Sequence, residues 1–129
     1  MSFYQKEIRV SEKDLDDLNH VNNVRYVQWI QDISKEHWVT KAPLKIQEEI
    51  IWVVMTHHIE YKSSAVLNDP IVLRTHIKDS SGAKCTRVVE MFNGITNTLL
   101  VRSNTEWCLL NRQSLKPTRI SEDIKVIFS

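Results

Sequence analysis

Glycine occurs only 2 times and proline only 3 times in 129 residues. A chain so poor in backbone breakers has no flexible linker, no low-complexity tract and no loop-rich lobe. No segment repeats, so one domain over residues 1–129 is expected. Neither sign of charge dominates: 17 Lys and Arg stand against 16 Asp and Glu, for a net charge of +1. That removes the basic field on which sequence-blind nucleic-acid binding depends. No apolar run reaches the roughly 18–20 residues that cross a bilayer, so no membrane span is expected. The N-terminus, MSFYQKEIRV, lacks the basic-then-apolar order of a secretory signal. Cysteine appears twice, as Cys85 and Cys108, with no C-x-x-C pair. The five histidines show no ligand spacing, so no metal site is expected. A cytoplasmic location follows as the default.

The order of elements can be read from periodicity. Phe3 to Val10 is a short strand with weak alternation. At about 100° per residue, Tyr26, Val27, Trp29, Ile30, Ile33 and His37 fall in one arc. Arg25, Gln28, Gln31, Asp32, Lys35 and Glu36 fall opposite. This predicts a helix from Asn23 to about Lys41, with Asn22 or Asn23 as its N-cap and Pro43 just past its end. The period then changes to two. Ile51, Val53, Met55, His57, Ile59 and Tyr61 form the apolar face of a strand. Ile71, Leu73, Thr75 and Ile77 follow after the Asn68-Asp69-Pro70 turn. Residues 83–92 and 97–110 are two more strands around Asn93-Gly94, a hairpin signal. The expected fold is α+β: one antiparallel sheet of about five strands with one helix on its apolar face. A two-residue turn at Asn93-Gly94 would set Phe92 opposite Ile95 and Cys85 opposite Arg102. That register separates the two thiols beyond disulfide reach and leaves them as small apolar fillers.

The chemistry is concentrated in D-L-D-D-L-N-H-V-N-N-V-R-Y, residues 14 to 26. Asp14, Asp16 and Asp17, His20, and Asn19, Asn22 and Asn23 stand directly before the helix. A helix N-terminus offers unpaired N–H groups and the positive end of the dipole, a natural seat for a developing oxyanion. A carboxylate beside it can act on water as a general base, or as a nucleophile. Acidic residues before a helix also serve simply as caps and solvated loops, and the residues alone leave both readings open.

This segment resembles the signature of the hotdog-fold thioesterases, the 4-hydroxybenzoyl-CoA thioesterase-like superfamily. The pattern there is Asp-x-Asp-x-x-Gly-His-Val-Asn-Asn-x-x-Tyr. Asp14, Asp16, His20, Val21, Asn22, Asn23 and Tyr26 match it. His58-Ile59-Glu60-Tyr61, Asn68 to Thr75, and Thr105 to Asn111 with Lys116-Pro117 resemble later strands of the family, so the likeness covers nearly the whole chain.

The resemblance implies a curved sheet wrapped around a central helix, the hotdog fold, in homodimers or dimers of dimers with sites between subunits. It implies hydrolysis of an acyl-CoA or acyl carrier protein thioester, with no cofactor beyond the coenzyme A of the substrate. Asp16 takes the place of the catalytic carboxylate, and His20 and Asn23 line the same site. Backbone N–H groups of Asn23 to Arg25 would hold the oxyanion. Asn22, Val24, Arg25, Tyr26 and Trp29 would meet the substrate. Asp14 and Asp17 are left as loop or capping groups. Asn19 stands where the family has Gly, and Gln31 where many relatives carry a helix Glu. The latter disfavours a dehydratase, which needs that carboxylate. A non-catalytic acyl-CoA binder is the alternative of a different class.

Arg74, Lys78 and Arg102 share a parity on neighbouring strands; they read as a solvated face, with coenzyme A phosphate as the sharper use. His37 and His57 read as core or interface residues, and His58 and His76 as exposed.

Overall fold

The helix expected at Asn23 forms at that residue. In a computed structural model describing residues 3–129, α1 spans Asn23–Lys41. The Asn22 side chain accepts the Val24 N–H at 3.0 Å, so the short amide oxygen satisfies one of the first-turn donors. Its buried face is Tyr26, Trp29, Ile30, Ile33, Ser34 and His37. Ile30 and Ile33 are wholly inaccessible, so truncating either to Ala would cost about 2–5 kcal/mol. Val27 from the expected arc is only half-buried.

Five strands form one antiparallel sheet: β1 Tyr4–Arg9, β2 Ile50–Tyr61, β3 Pro70–Ser81, β4 Lys84–Asn93 and β5 Leu99–Asn111. With α1 across it, this is the expected hotdog arrangement. The order across the sheet is β1-β3-β4-β5-β2. β2 and β3 follow one another in sequence but lie at opposite sides, with β2 on the edge. Residues 62–69 are therefore a crossover rather than the tight turn that Asn68-Asp69-Pro70 suggests. Two short helices also go beyond the sequence reading, α2 at Leu44–Glu49 and α3 at Glu122–Ile127.

The apolar face of β2 departs from the expected parity. A bulge lies between Val54, paired with Trp107, and Thr56, paired with Glu106. Met55 is the extra residue and is exposed. One inserted residue shifts the phase of every side chain beyond it. Trp52 packs in the cluster of Ile50, Cys85 and Leu109, whereas His57 and Ile59 carry the inner face after the bulge. Ile51, Val53 and Met55 thus do not continue the face of His57, Ile59 and Tyr61.

The hairpin register also differs. Phe92 pairs with Leu99, Glu90 with Arg102 and Cys85 with Trp107. The loop is longer than two residues: the Asn93 N–H donates to the Thr98 carbonyl, and the Asn93 side chain accepts from Ile95 and Thr96. Gly94 does not adopt the positive φ that a type I′ turn demands. Its lack of a side chain serves a close approach instead, since a Cβ there would meet the Pro70 ring at 3.3 Å. The cysteines are consequently near neighbours, with Cys108 opposite Lys84. Successive side chains alternate in face, so Cys85 and Cys108 project to opposite sides and both remain free.

Candidate active site

Between β1 and α1 the chain folds into a compact loop built on its own polar groups. Asp14 closes a single 3-10 turn, Glu12–Asp14. Its carboxylate is buried and accepts from the Ser11 N–H at 2.9 Å, the Ser11 hydroxyl at 3.0 Å and Arg25 Nε at 2.8 Å. Burial pushes its pKa up, but the Ser11 hydrogen bonds and the Arg25 charge outweigh that and hold it below the ordinary 3.8. The Asn22 N–H donates to the Asp14 carbonyl at 2.8 Å. Asp14 is therefore the anchor that ties the loop to α1, a larger role than a capping group.

Two residues on, Asp16 heads a tight turn. The Asn19 N–H donates to the Asp16 carbonyl, and the Asp16 N–H to the His20 carbonyl at 2.8 Å. Asn19 sits at φ +60. Glycine enters that region freely and Asn better than most residues, which accounts for Asn at the place where the family carries Gly. Oδ1 of Asp16 accepts from the Leu18 N–H at 2.9 Å and the His20 N–H at 3.2 Å. Among the described residues, Oδ2 takes no hydrogen bond. The carboxylate is half-buried, oriented through one oxygen and open at the other.

The helix N-terminus stands open beside this loop. Of the three N–H groups expected for an oxyanion, Val24 donates to the Asn22 side chain and Arg25 to the Asn22 carbonyl. The Asn23 N–H alone of the three has no acceptor among the described residues. The crossover after β2 braces this end: the Val21 N–H donates to the Ala65 carbonyl, and His20 bridges Val66. The Tyr26 hydroxyl accepts the Ala65 N–H at 3.2 Å. Burial first, and then the charge of Asp69, raise the Tyr26 phenol above its ordinary 10.0 and keep it neutral.

The expected site residues divide into two groups. His20, Asn22, Asn23 and Val24 are exposed around the opening. Tyr26 and Trp29 are buried, packed edge to face with centroids 5.6 Å apart, and Arg25 covers Trp29. Tyr26 and Trp29 belong to the core, and Arg25 is half-buried above it. Leu18, Val66 and Leu67 went unnoticed in the sequence; all are exposed apolar residues of the loop and the crossover. No periodic pattern marks them, because they belong to irregular segments. Arg74 and Arg102 lie on the sheet face away from α1, flanking Glu90 in register. Arg102 holds Glu90 at 2.8 Å, Arg74 reaches Gln5, and Lys78 is exposed. No group of three His, Cys, Asp or Glu that could hold a metal occurs among the described residues.

The family model of the thioesterase-like superfamily matches residues 10–128. The chain belongs to this superfamily. By that membership it is a thioester hydrolase. The thioesterase-like fold recurs in solved structures at low identity. YbaW, a probable thioesterase from Escherichia coli, superposes with a TM-score of 0.86 at 18% identity, covering 95% of this chain and 94% of that one. Slr0204, a 1,4-dihydroxy-2-naphthoyl-CoA thioesterase from Synechocystis, gives 0.84 at 14%, covering 98% and 96%. SAV2348 from Staphylococcus aureus, solved in complex with CoA, gives 0.86 at 16%, covering 98% and 81%. A search of curated proteins finds no match to the sequence.

Proposed function

We propose that this thioesterase hydrolyses acyl thioesters of coenzyme A, with Asp16 as the catalytic carboxylate. The observations that carry the reading are, among the described residues, an Oδ2 of Asp16 left without a hydrogen bond and an Asn23 N–H left without an acceptor at the start of α1, the helix that follows the Asp16 loop. In the general-base route, Oδ2 takes a proton from water as the water oxygen attacks the thioester carbon. The carbonyl oxygen gains charge and is met by the Asn23 N–H and the helix dipole. Collapse breaks the C–S bond, and the proton held by Asp16 passes to the departing thiolate. In the nucleophilic route, Oδ2 attacks the carbon itself, giving a mixed anhydride that water then cleaves. His20 and the Asn22 and Asn23 side chains would orient substrate or water. For the phosphates, Arg102 is already engaged by Glu90, which leaves Arg74 and Lys78 without an ion pair among the described residues.

What supports a homodimer is incomplete coverage. Leu18 is 74% exposed and Val24 70% exposed beside the candidate catalytic carboxylate, and β1 and β2 are open sheet edges. A second copy would cover the site and pair an edge. Sedimentation at micromolar concentration should show at least a dimer; a monomer with full activity would remove the shared site.

The direct test is thiol release from a panel of acyl-CoAs, with matched acyl carrier protein thioesters alongside. Turnover of acyl-CoA supports the reading, faster turnover of the carrier-bound chains reassigns the carrier, and tight binding without release makes the chain a binder.

A further inference from the structure

A cavity of about 460 Å³ lies between the middle of α1 and strands β2, β4 and β5. That is within the roughly 300–1,000 Å³ of small-molecule sites. None of residues 14–26 lines it; its walls include Trp38, Trp52, Trp107 and Phe128, with Arg87 among them. Arg87 is only 4% exposed. It has no ion pair among the described residues. Its Nη1 donates to His37 Nδ1 at 2.9 Å and to Thr75 Oγ1 at 3.0 Å, and its guanidinium lies 5.2 Å from the Phe128 ring centroid.

A charge withdrawn from water persists when it is paired or fully hydrogen-bonded. Here both acceptors are neutral and both meet one nitrogen. Accepting through Nδ1 leaves the His37 proton on Nε2, so His37 supplies no countercharge. The hydrogens of Nε and Nη2 have no acceptor among the described residues. Those two nitrogens form the planar edge of a guanidinium that matches a carboxylate with two parallel bonds. Near the mouth, Lys35 and Arg112 stand against one carboxylate, Asp32, whose Oδ1 accepts from Gln28. The aromatic walls supply flat apolar surface for the rest of a ligand.

We infer that this cavity binds an organic carboxylate with a planar apolar body, its charge held by the free edge of Arg87. The carboxylate has two possible sources: a free acid, or the far end of an acyl thioester, the latter resting on the function proposed above. His37 stands about 21 Å along the helix from Asn23 at about 1.5 Å per residue. A short acyl group held at Asn23 of the same chain therefore falls short of Arg87.

The test is calorimetric titration of the intact protein with 2-naphthoate and with the neutral, equally sized 2-naphthamide, alongside the indole N–H resonances of Trp52 and Trp107. The acid should bind saturably and shift both indole signals, and the amide should bind at least tenfold more weakly. In Arg87→Gln the preference should vanish. The comparison in the wild-type protein needs no variant, so a misfolded Arg87→Gln would not rescue the idea. Equal affinity for acid and amide, no binding of either, or an acid preference that survives Arg87→Gln would overturn it. So would binding lost as the protein is concentrated into an oligomer, since a second copy would then fill the cavity. Asp16→Asn should bind 2-naphthoate unchanged, and failure of every acyl-CoA to release thiol would leave the titration standing. A rise in kcat/KM for acid-ended over methyl-ended acyl-CoA, absent in Arg87→Gln, would assign the carboxylate to the substrate; no rise would assign it to a free acid.

Discussion

Arg25 Nε donates to Asp14 Oδ1 across 2.8 Å, and through that contact the first turn of α1 holds the loop that carries Asp16. The Asp14 side chain is 4% exposed and that of Arg25 33%. Asp14→Asn should therefore destabilise the fold by about 1.5–3 kcal/mol, the range for hydrogen bonds to a charged group. Urea unfolding at pH 7 measures it. Because the folded pKa lies below the ordinary 3.8, this stabilisation is whole above pH 3.8 and is lost as pH falls through the folded value. The wild type and Asp14→Asn should converge only in that acid range.

Asp16→Asn keeps the size of the side chain and removes its basicity and nucleophilicity. Acyl-CoA turnover should fall at least about 100-fold, the low end for a general base. Stability should change little beside that of Asp14→Asn, since Oδ1 of the amide can still accept from Leu18 and His20. Asp17→Asn should retain most activity. A dead Asp17→Asn with an active Asp16→Asn would move the catalytic carboxylate.

At Asn19, φ is +60. Asn19→Gly should be accepted with stability and activity near those of the wild type. Asn19→Val should lose about 1–2 kcal/mol, the cost of the left-handed region for a residue with a Cβ. Asp16 turnover should fall with it, because the Asn19 and His20 N–H groups shape the turn around the carboxylate. A full-activity Asn19→Val would show that the turn is not needed for chemistry.

His37 makes stability depend on pH in a second window. Burial, then the charges of Arg87 and Lys41, bring its pKa down to about 4 from 6.5. The unfolded chain binds the proton more readily, so stability is whole above pH 6.5 and falls as pH drops toward about 4. At pH 5 the loss should be about 2 kcal/mol relative to pH 7.5. His37→Asn keeps an acceptor toward Arg87 and should flatten this part of the profile.

Much of the fold was legible in the chain because a buried face leaves a periodic trace. The arc through Tyr26, Ile30, Ile33 and His37 set α1, and the alternation of Ile71, Leu73, Thr75 and Ile77 set the inner face of β3. Asp16, His20 and Asn23 were singled out by the likeness of residues 14–26 to the thioesterase signature, because that signature is written in consecutive residues; the residues alone left the catalytic and capping readings open. The roles within that loop were less visible. Asp14 and Asp16 are identical in chemistry, and only their different partners separate an anchor from a carboxylate with a free oxygen.

Local pattern thus decided the elements, since helix and strand geometry bind neighbours a few residues apart. The folded structure alone decided the rest. The single extra residue at Met55 rephased β2, and Gly94 was brought against the Pro70 ring. The crossover carried Ala65 and Val66 beneath the start of α1. Arg87 was set against His37 and Thr75 without a carboxylate. Each of these depends on contacts between segments tens of residues apart, whose energies no local period records.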